Sequence, residues 1–133
     1  MRRRWIALTV TALVAGSLPV LALAPAQAAA GCRATYTVTN QWPGGFGASV
    51  NLTNLGDPVT SWRLTWSFTA GQTVTQGWNG VFTQSGADGS VANASWNGAL
   101  GTGGSVGLGF NGSWTGGANP PPASFALDGT VCT

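Results

Sequence analysis

The stretch Ser61–Thr69 alternates without interruption: Trp62, Leu64, Trp66 and Phe68 fall on one face, Arg63, Thr65 and Ser67 on the other. A two-residue period puts all four apolar side chains on one side of an extended strand, and no helix can gather them on one stripe. Phe46–Asn54 repeats the pattern, with Phe46, Ala48, Val50 and Leu52 opposite Gly47, Ser49, Asn51 and Thr53. Ala34–Asn40 alternates around Tyr36 and Val38, and weaker runs lie at Gln72–Trp78, Val81–Ser85, Ser90–Ser95, Ser105–Phe110 and Phe125–Val131. Turn chemistry separates them at Pro43-Gly44-Gly45, Gly56-Asp57-Pro58, Ala70-Gly71, Asp88-Gly89, Gly101–Gly104 and Asp128-Gly129. Short strands at this spacing predict an all-β domain, two antiparallel sheets packed as a β-sandwich of immunoglobulin-like or jelly-roll type.

The first 28 residues read as a secretory signal peptide rather than as part of that domain. Met1-Arg2-Arg3-Arg4 is a positive n-region, Trp5 to Leu23 an apolar h-region interrupted by Pro19, and Ala26-Gln27-Ala28 a small-x-small cleavage site. Residues 29–133 then form the single domain, exported to an extracellular, disulfide-permissive compartment. Cys32 and Cys132, the chain's 2 cysteines, stand at the two ends of the mature domain and are expected to pair. Acylation of Cys32 is the competing reading, but the expected preceding Leu is missing and Cys132 would be left unpaired.

Removal of the leader reverses the charge. Arg33 and Arg63 remain against Asp57, Asp88 and Asp128, two cations against three anions, a net charge of −1. No basic patch is left for phosphates, so nucleic acid and anionic membrane are excluded as partners. The chain has no His, Lys or Glu. Without His, the usual Ser-His-Asp arrangement and a His-ligated zinc or copper site cannot be built. Glycoside hydrolysis needs paired carboxylates, and the three Asp lie apart in sequence at turns, where Asp caps its own backbone. We therefore expect no catalysis, no cofactor and no metal.

What remains is aromatic. Of the 7 tryptophans Trp5 lies in the leader, and the others are Trp42, Trp62, Trp66, Trp78, Trp96 and Trp114. Trp62 and Trp66 belong to the apolar face of a strand and read as core. Trp42, in Asn40-Gln41-Trp42-Pro43-Gly44, Trp78, in Gln76-Gly77-Trp78-Asn79-Gly80, and Trp96, in Ser95-Trp96-Asn97-Gly98, stand instead among amides and turns. Parity leaves Trp78 undecided, because it shares the phase of Val74. An indole left exposed beside Asn and Gln complements a β-linked sugar: the ring stacks on the apolar C–H face and the amides meet the hydroxyl edge. If each ring removes about 100 Å² from water it gains roughly 2.5 kcal/mol. One platform is therefore weak, and three together exceed an association cost of at least about 4 kcal/mol.

Taken in order, Asn40-Gln41-Trp42, Ser61-Trp62-Arg63-Leu64-Thr65, Val74-Thr75-Gln76-Gly77-Trp78, Trp96-Asn97-Gly98, Gly109-Phe110-Asn111-Gly112 and the terminal cysteine pair resemble a family 2 carbohydrate-binding module. The resemblance runs from Cys32 to Cys132. It implies a β-sandwich with one flat face carrying three coplanar tryptophans, matched by Trp42, Trp78 and Trp96, with Gln76, Asn111 and Asn40 as the accompanying amides. It implies binding to insoluble β-1,4-linked polysaccharide, crystalline cellulose first and chitin second, by a monomeric non-catalytic module. A xylan-binding branch carries Arg where Gly45 stands and usually lacks the third Trp, so the chain is similar to the crystalline-polysaccharide branch. Gly107 and Ser49 replace amides found in some members. Trp114 matches no family role; it packs near Pro120-Pro121-Pro122 or extends the platform. Binding of soluble glycans, or of a protein at a cell wall, are the alternatives.

Overall fold

The computed structural model describes residues 31–133, and the signal-peptide expectation lies outside them. Nine strands form two antiparallel sheets: β1 (Cys32–Trp42), β2 (Gly45–Asn54), β3 (Arg63–Ser67), β4 (Thr73–Trp78), β5 (Gly80–Ser85), β6 (Asp88–Asn93), β7 (Ser105–Ser113), β8 (Phe125–Leu127) and β9 (Thr130–Val131). One sheet has the order β1-β2-β7-β4 and the other β5-β6-β3-β8-β9. The all-β, two-sheet expectation holds.

The core lies between the sheets because the inner faces carry the alternating apolar residues. Phe46, Ala48, Val50 and Leu52 of β2 meet Leu64 and Trp66 of β3 and Val91 of β6, all buried. Phe110 of β7 is its aromatic centre, stacked on Trp66 at 6.0 Å between ring centroids and edge-on to Phe46 at 5.9 Å. Trp62 is buried too, its indole N–H donating to the Asn97 carbonyl at 2.8 Å. Trp114 packs edge-on against Phe46 at 5.8 Å, which assigns it to the core periphery. The Cys32–Cys132 disulfide joins the start of β1 to the residue after β9, and so ties one sheet to the other.

Several boundaries differ from expectation: β1 and β7 run longer than Ala34–Asn40 and Ser105–Phe110, and β6 begins and ends two residues before Ser90–Ser95. Phe125–Val131 is not one strand but a hairpin, folded at Asp128-Gly129, where both residues have positive φ and Asp128 Oδ1 accepts the Arg63 N–H at 2.9 Å. Asp88-Gly89 is not a turn but the start of β6; the chain reverses at Gly86-Ala87, and Gly89 pairs with Trp66, whose ring occupies the space of a Cβ. The strand expected over Ser61–Thr69 is trimmed to β3, and Phe68 stays in the core just beyond its end.

Candidate functional site

Two β-bulges decide where the outer tryptophans point. In β1 the pairing jumps from Val38–Ala48 to Asn40–Gly47, leaving Thr39 as an extra residue. In β4 it jumps from Val74–Gly112 to Gln76–Asn111, leaving Thr75 extra. An extra residue inverts the two-residue phase of everything beyond it. Val38 and Val74 pack against the core, while Trp42 and Trp78, in phase with them by sequence, turn to the outer face of the four-stranded sheet. Trp42 is 41 % exposed and Trp78 45 %.

On that face both rings lie against backbone. A Cβ added at Gly45 would stand 2.2 Å from Trp42 Nε1, and one at Gly109 would stand 2.5 Å from Trp78 Cζ2. Glycine at these two positions leaves room for the indoles to lie down on the sheet instead of standing away from it. Trp42 shares a cross-strand row with Gly45 and Ser113, and Trp78 shares one with Gly109. Those rows lie about 13 Å apart along β7.

Between them runs a row of amides. Asn40 pairs with Gly47, Gly47 with Asn111, and Asn111 with Gln76, so the three expected amides cross the whole sheet in one line. Gly47 makes the line possible, since a Cβ there would stand 2.4 Å from Asn40 Oδ1 and 3.5 Å from Asn111 Oδ1. Ser49 lies in the Gly109 row and Gly107 beyond it, both on this face. Neither contributes an amide.

Trp96 lies outside the strands. It sits in the turn after β6 and is 74 % exposed. Asn97 accepts the Ala94 N–H through Oδ1 at 2.7 Å and donates through Nδ2 to the Asn79 carbonyl at 2.7 Å. Asn79, at φ 62°, is the corner where the chain leaves Trp78 for the other sheet, and its Nδ2 donates to the Gly107 carbonyl of β7 at 2.9 Å. The sequence reading missed the roles of Gly47, Gly109, Asn79 and Asn97. The Trp-Asn-Gly triplet repeated at 78–80 and 96–98 was the available signal for the two asparagines.

The structure thus brings Trp42, Trp78, Asn40, Gln76 and Asn111 onto one face, with Trp96 on a turn hydrogen-bonded to that of Trp78. A trough of about 620 Å³ lies on the other sheet, walled by Thr65, Ser67, Thr83, Ser85, Asp88 and Ser90. Asp88 is its lone carboxylate, whereas glycoside hydrolysis takes two. No exposed ring stands in it, so depth and aromatic surface are on different faces of the molecule. Among the described residues no group of three or more His, Cys, Asp or Glu is placed to hold a metal ion.

A model of the cellulose binding domain family matches residues 32–132. The chain is 62% identical over 116 residues to "Endoglucanase A" of Cellulomonas fimi, a match covering 87% of this chain and 26% of that enzyme. It therefore spans about a quarter of that relative. Among solved structures it is similar to the chitin-binding domain of Chi18aC from Streptomyces coelicolor, at TM-score 0.63 and 37% identity, over 77% of this chain and 94% of that one. It is also similar to the cellulose-binding family 2 carbohydrate binding domain of ScLPMO10C, at TM-score 0.58 and 36% identity, over 69% and 90% of the two chains.

Proposed function

The chain belongs to the cellulose binding domain family, and from that membership we propose that it adsorbs to insoluble β-1,4-linked polysaccharide through Trp42, Trp78 and Trp96. It is a binding module and not a catalyst; catalytic parts of enzymes such as the Cellulomonas endoglucanase lie outside the region it matches. The observation that carries the reading is the seating of Trp42 and Trp78 over Gly45 and Gly109 on one sheet face, with an amide row between them. Rings seated over glycine on one sheet face suit an extended surface, where each stacks on a sugar face and Asn40, Asn111 and Gln76 exchange hydrogen bonds with hydroxyls. Rings seated in rows about 13 Å apart along β7 ask for a polymer rather than a single sugar.

Cellulose and chitin are both β-1,4-linked, and the similar solved domains are described one as chitin-binding and the other as cellulose-binding. Crystalline cellulose is the first substrate we assign and chitin the second. Gly45 and Trp96 favour these over xylan, since a side chain at position 45 would push Trp42 off the sheet. Residues 1–28 act as a signal peptide and residues 29–133 as the extracellular, monomeric module.

The test is depletion from solution by microcrystalline cellulose and by chitin, each at low and high salt. A neutral interface of rings and amides predicts adsorption that salt leaves unchanged. Adsorption abolished by salt, or absent on both solids while soluble xylan binds, would overturn the reading.

A further inference from the structure

Trp42 and Trp78 are held by strand register and by the glycines beneath them, but Trp96 is not. Its ring is the most exposed of the three and its backbone lies in a turn. Something other than the sheet must set its position, or its contribution to a three-ring platform would be reduced by the cost of ordering it on each binding event.

The hydrogen bonds around that turn supply the means. From inside, the buried Trp62 donates its indole N–H to the Asn97 carbonyl, and its backbone N–H donates to Asn93 Oδ1 at 2.9 Å. From outside, Asn97 Nδ2 reaches across to the Asn79 carbonyl, next to Trp78, and Asn79 Nδ2 reaches on to the Gly107 carbonyl of β7. β7 also carries Gly109, on which Trp78 lies, and Asn111 of the amide row. The turn bearing Trp96 is thereby joined in two bonds to the strand that seats the rest of the face. Each asparagine fits its place chemically. Asn79 tolerates the left-handed backbone that the corner requires, and Asn97 has the acceptor for its own turn as well as a donor for the next one.

Resting on the proposed platform, we infer that Asn97 and Asn79 are positioning residues for polysaccharide binding: a two-amide clasp that fixes Trp96 at a set distance from Trp78. Neither need touch the polymer. The clasp spares the turn from being ordered when the surface is met, and so keeps the third ring available to act together with the first two.

Two substitutions break the clasp and little else. Asn97→Asp keeps the oxygen that accepts the Ala94 N–H and loses the donor to Asn79. Asn79→Gly keeps the positive φ, which glycine adopts freely, and loses the donor to Gly107. Each is measured by adsorption isotherm on microcrystalline cellulose, alone and combined with Trp96→Ala, with thermal unfolding recorded for every variant. The expected result is adsorption weakened roughly fivefold, the scale of one hydrogen bond, at a melting temperature close to that of the parent. The discriminating result is the double variant: with Trp96 already removed, breaking the clasp should weaken adsorption no further. Native-like adsorption by both asparagine variants, or a loss that adds in full to that of Trp96→Ala, would overturn the clasp. If Trp96→Ala itself adsorbs like the parent while Trp42→Ala does not, Trp96 is no part of the platform and the clasp falls with it. If neither tryptophan matters, it is the platform reading that has failed.

Discussion

Glycine at 45 and tyrosine at 36 show how much a single residue settles in this molecule. The nearest atoms to a Cβ at Gly45 all belong to the Trp42 ring, with no backbone among them. Gly45→Ala should therefore leave the sheet intact and lift the indole. We expect a normal unfolding transition and adsorption weakened toward the level of Trp42→Ala, with the double variant no worse than Trp42→Ala alone. Tyr36, the chain's 1 tyrosine, has a buried hydroxyl without a hydrogen-bond partner, and burial pushes its phenol up to about 12. An unfolded tyrosine titrates near 10, so above that pH the unfolded chain gives up a proton that the folded chain retains. Stability is unaffected by this group below about pH 10 and falls as the pH rises toward 12. No lysine titrates in the same window. Urea unfolding followed from pH 8 to 12 should show that decline in the parent and lose most of it in Tyr36→Phe.

At the scale of the element, strand β3 and the bulged strands β1 and β4 behave differently, and the reason bears on what a sequence discloses. The strict alternation of Trp62, Leu64, Trp66 and Phe68 maps directly onto the core, where all four are buried. Trp62→Ala should cost roughly 3–5 kcal/mol by denaturant unfolding, and it also removes the bond that holds the Trp96 turn from within. In β1 and β4 the same rule of alternation points the wrong way, since it puts Trp42 in phase with Val38 and Trp78 with Val74. The bulges at Thr39 and Thr75 reverse this. A bulge is a property of how two strands pair, and nothing in either strand alone announces it. The tryptophans could be found from their polar neighbours and from the resemblance to known modules, but the device that turns them outward could not. Hairpin limits failed for a related reason: at Gly86-Ala87 the reversal falls beside Asp88-Gly89, whose turn-like composition serves instead to leave room for the Trp66 ring. The amide row across Asn40, Gly47, Asn111 and Gln76 likewise exists only once four strands are in register.

The whole molecule divides its labour between the two sheets, which share a core and are tied at the chain ends by Cys32–Cys132, 100 residues apart. Closing a loop of that length restricts the unfolded chain far more than the folded one. Replacing both cysteines by serine should lower stability by about 2–5 kcal/mol in chemical denaturation. Because the disulfide joins β1 at Cys32, the end of that strand remote from Trp42, adsorption at temperatures where the variant is folded should be unchanged. The central claim concerns the opposite property, a binding face that can be removed without disturbing the fold. Its most direct test is the adsorption isotherm on microcrystalline cellulose of the combined Trp42→Ala, Trp78→Ala and Trp96→Ala variant, with its unfolding transition measured beside it. The account predicts a cooperatively folded protein that no longer adsorbs; a folded triple variant that adsorbs as the parent does, or one that cannot fold without those three rings, would contradict it.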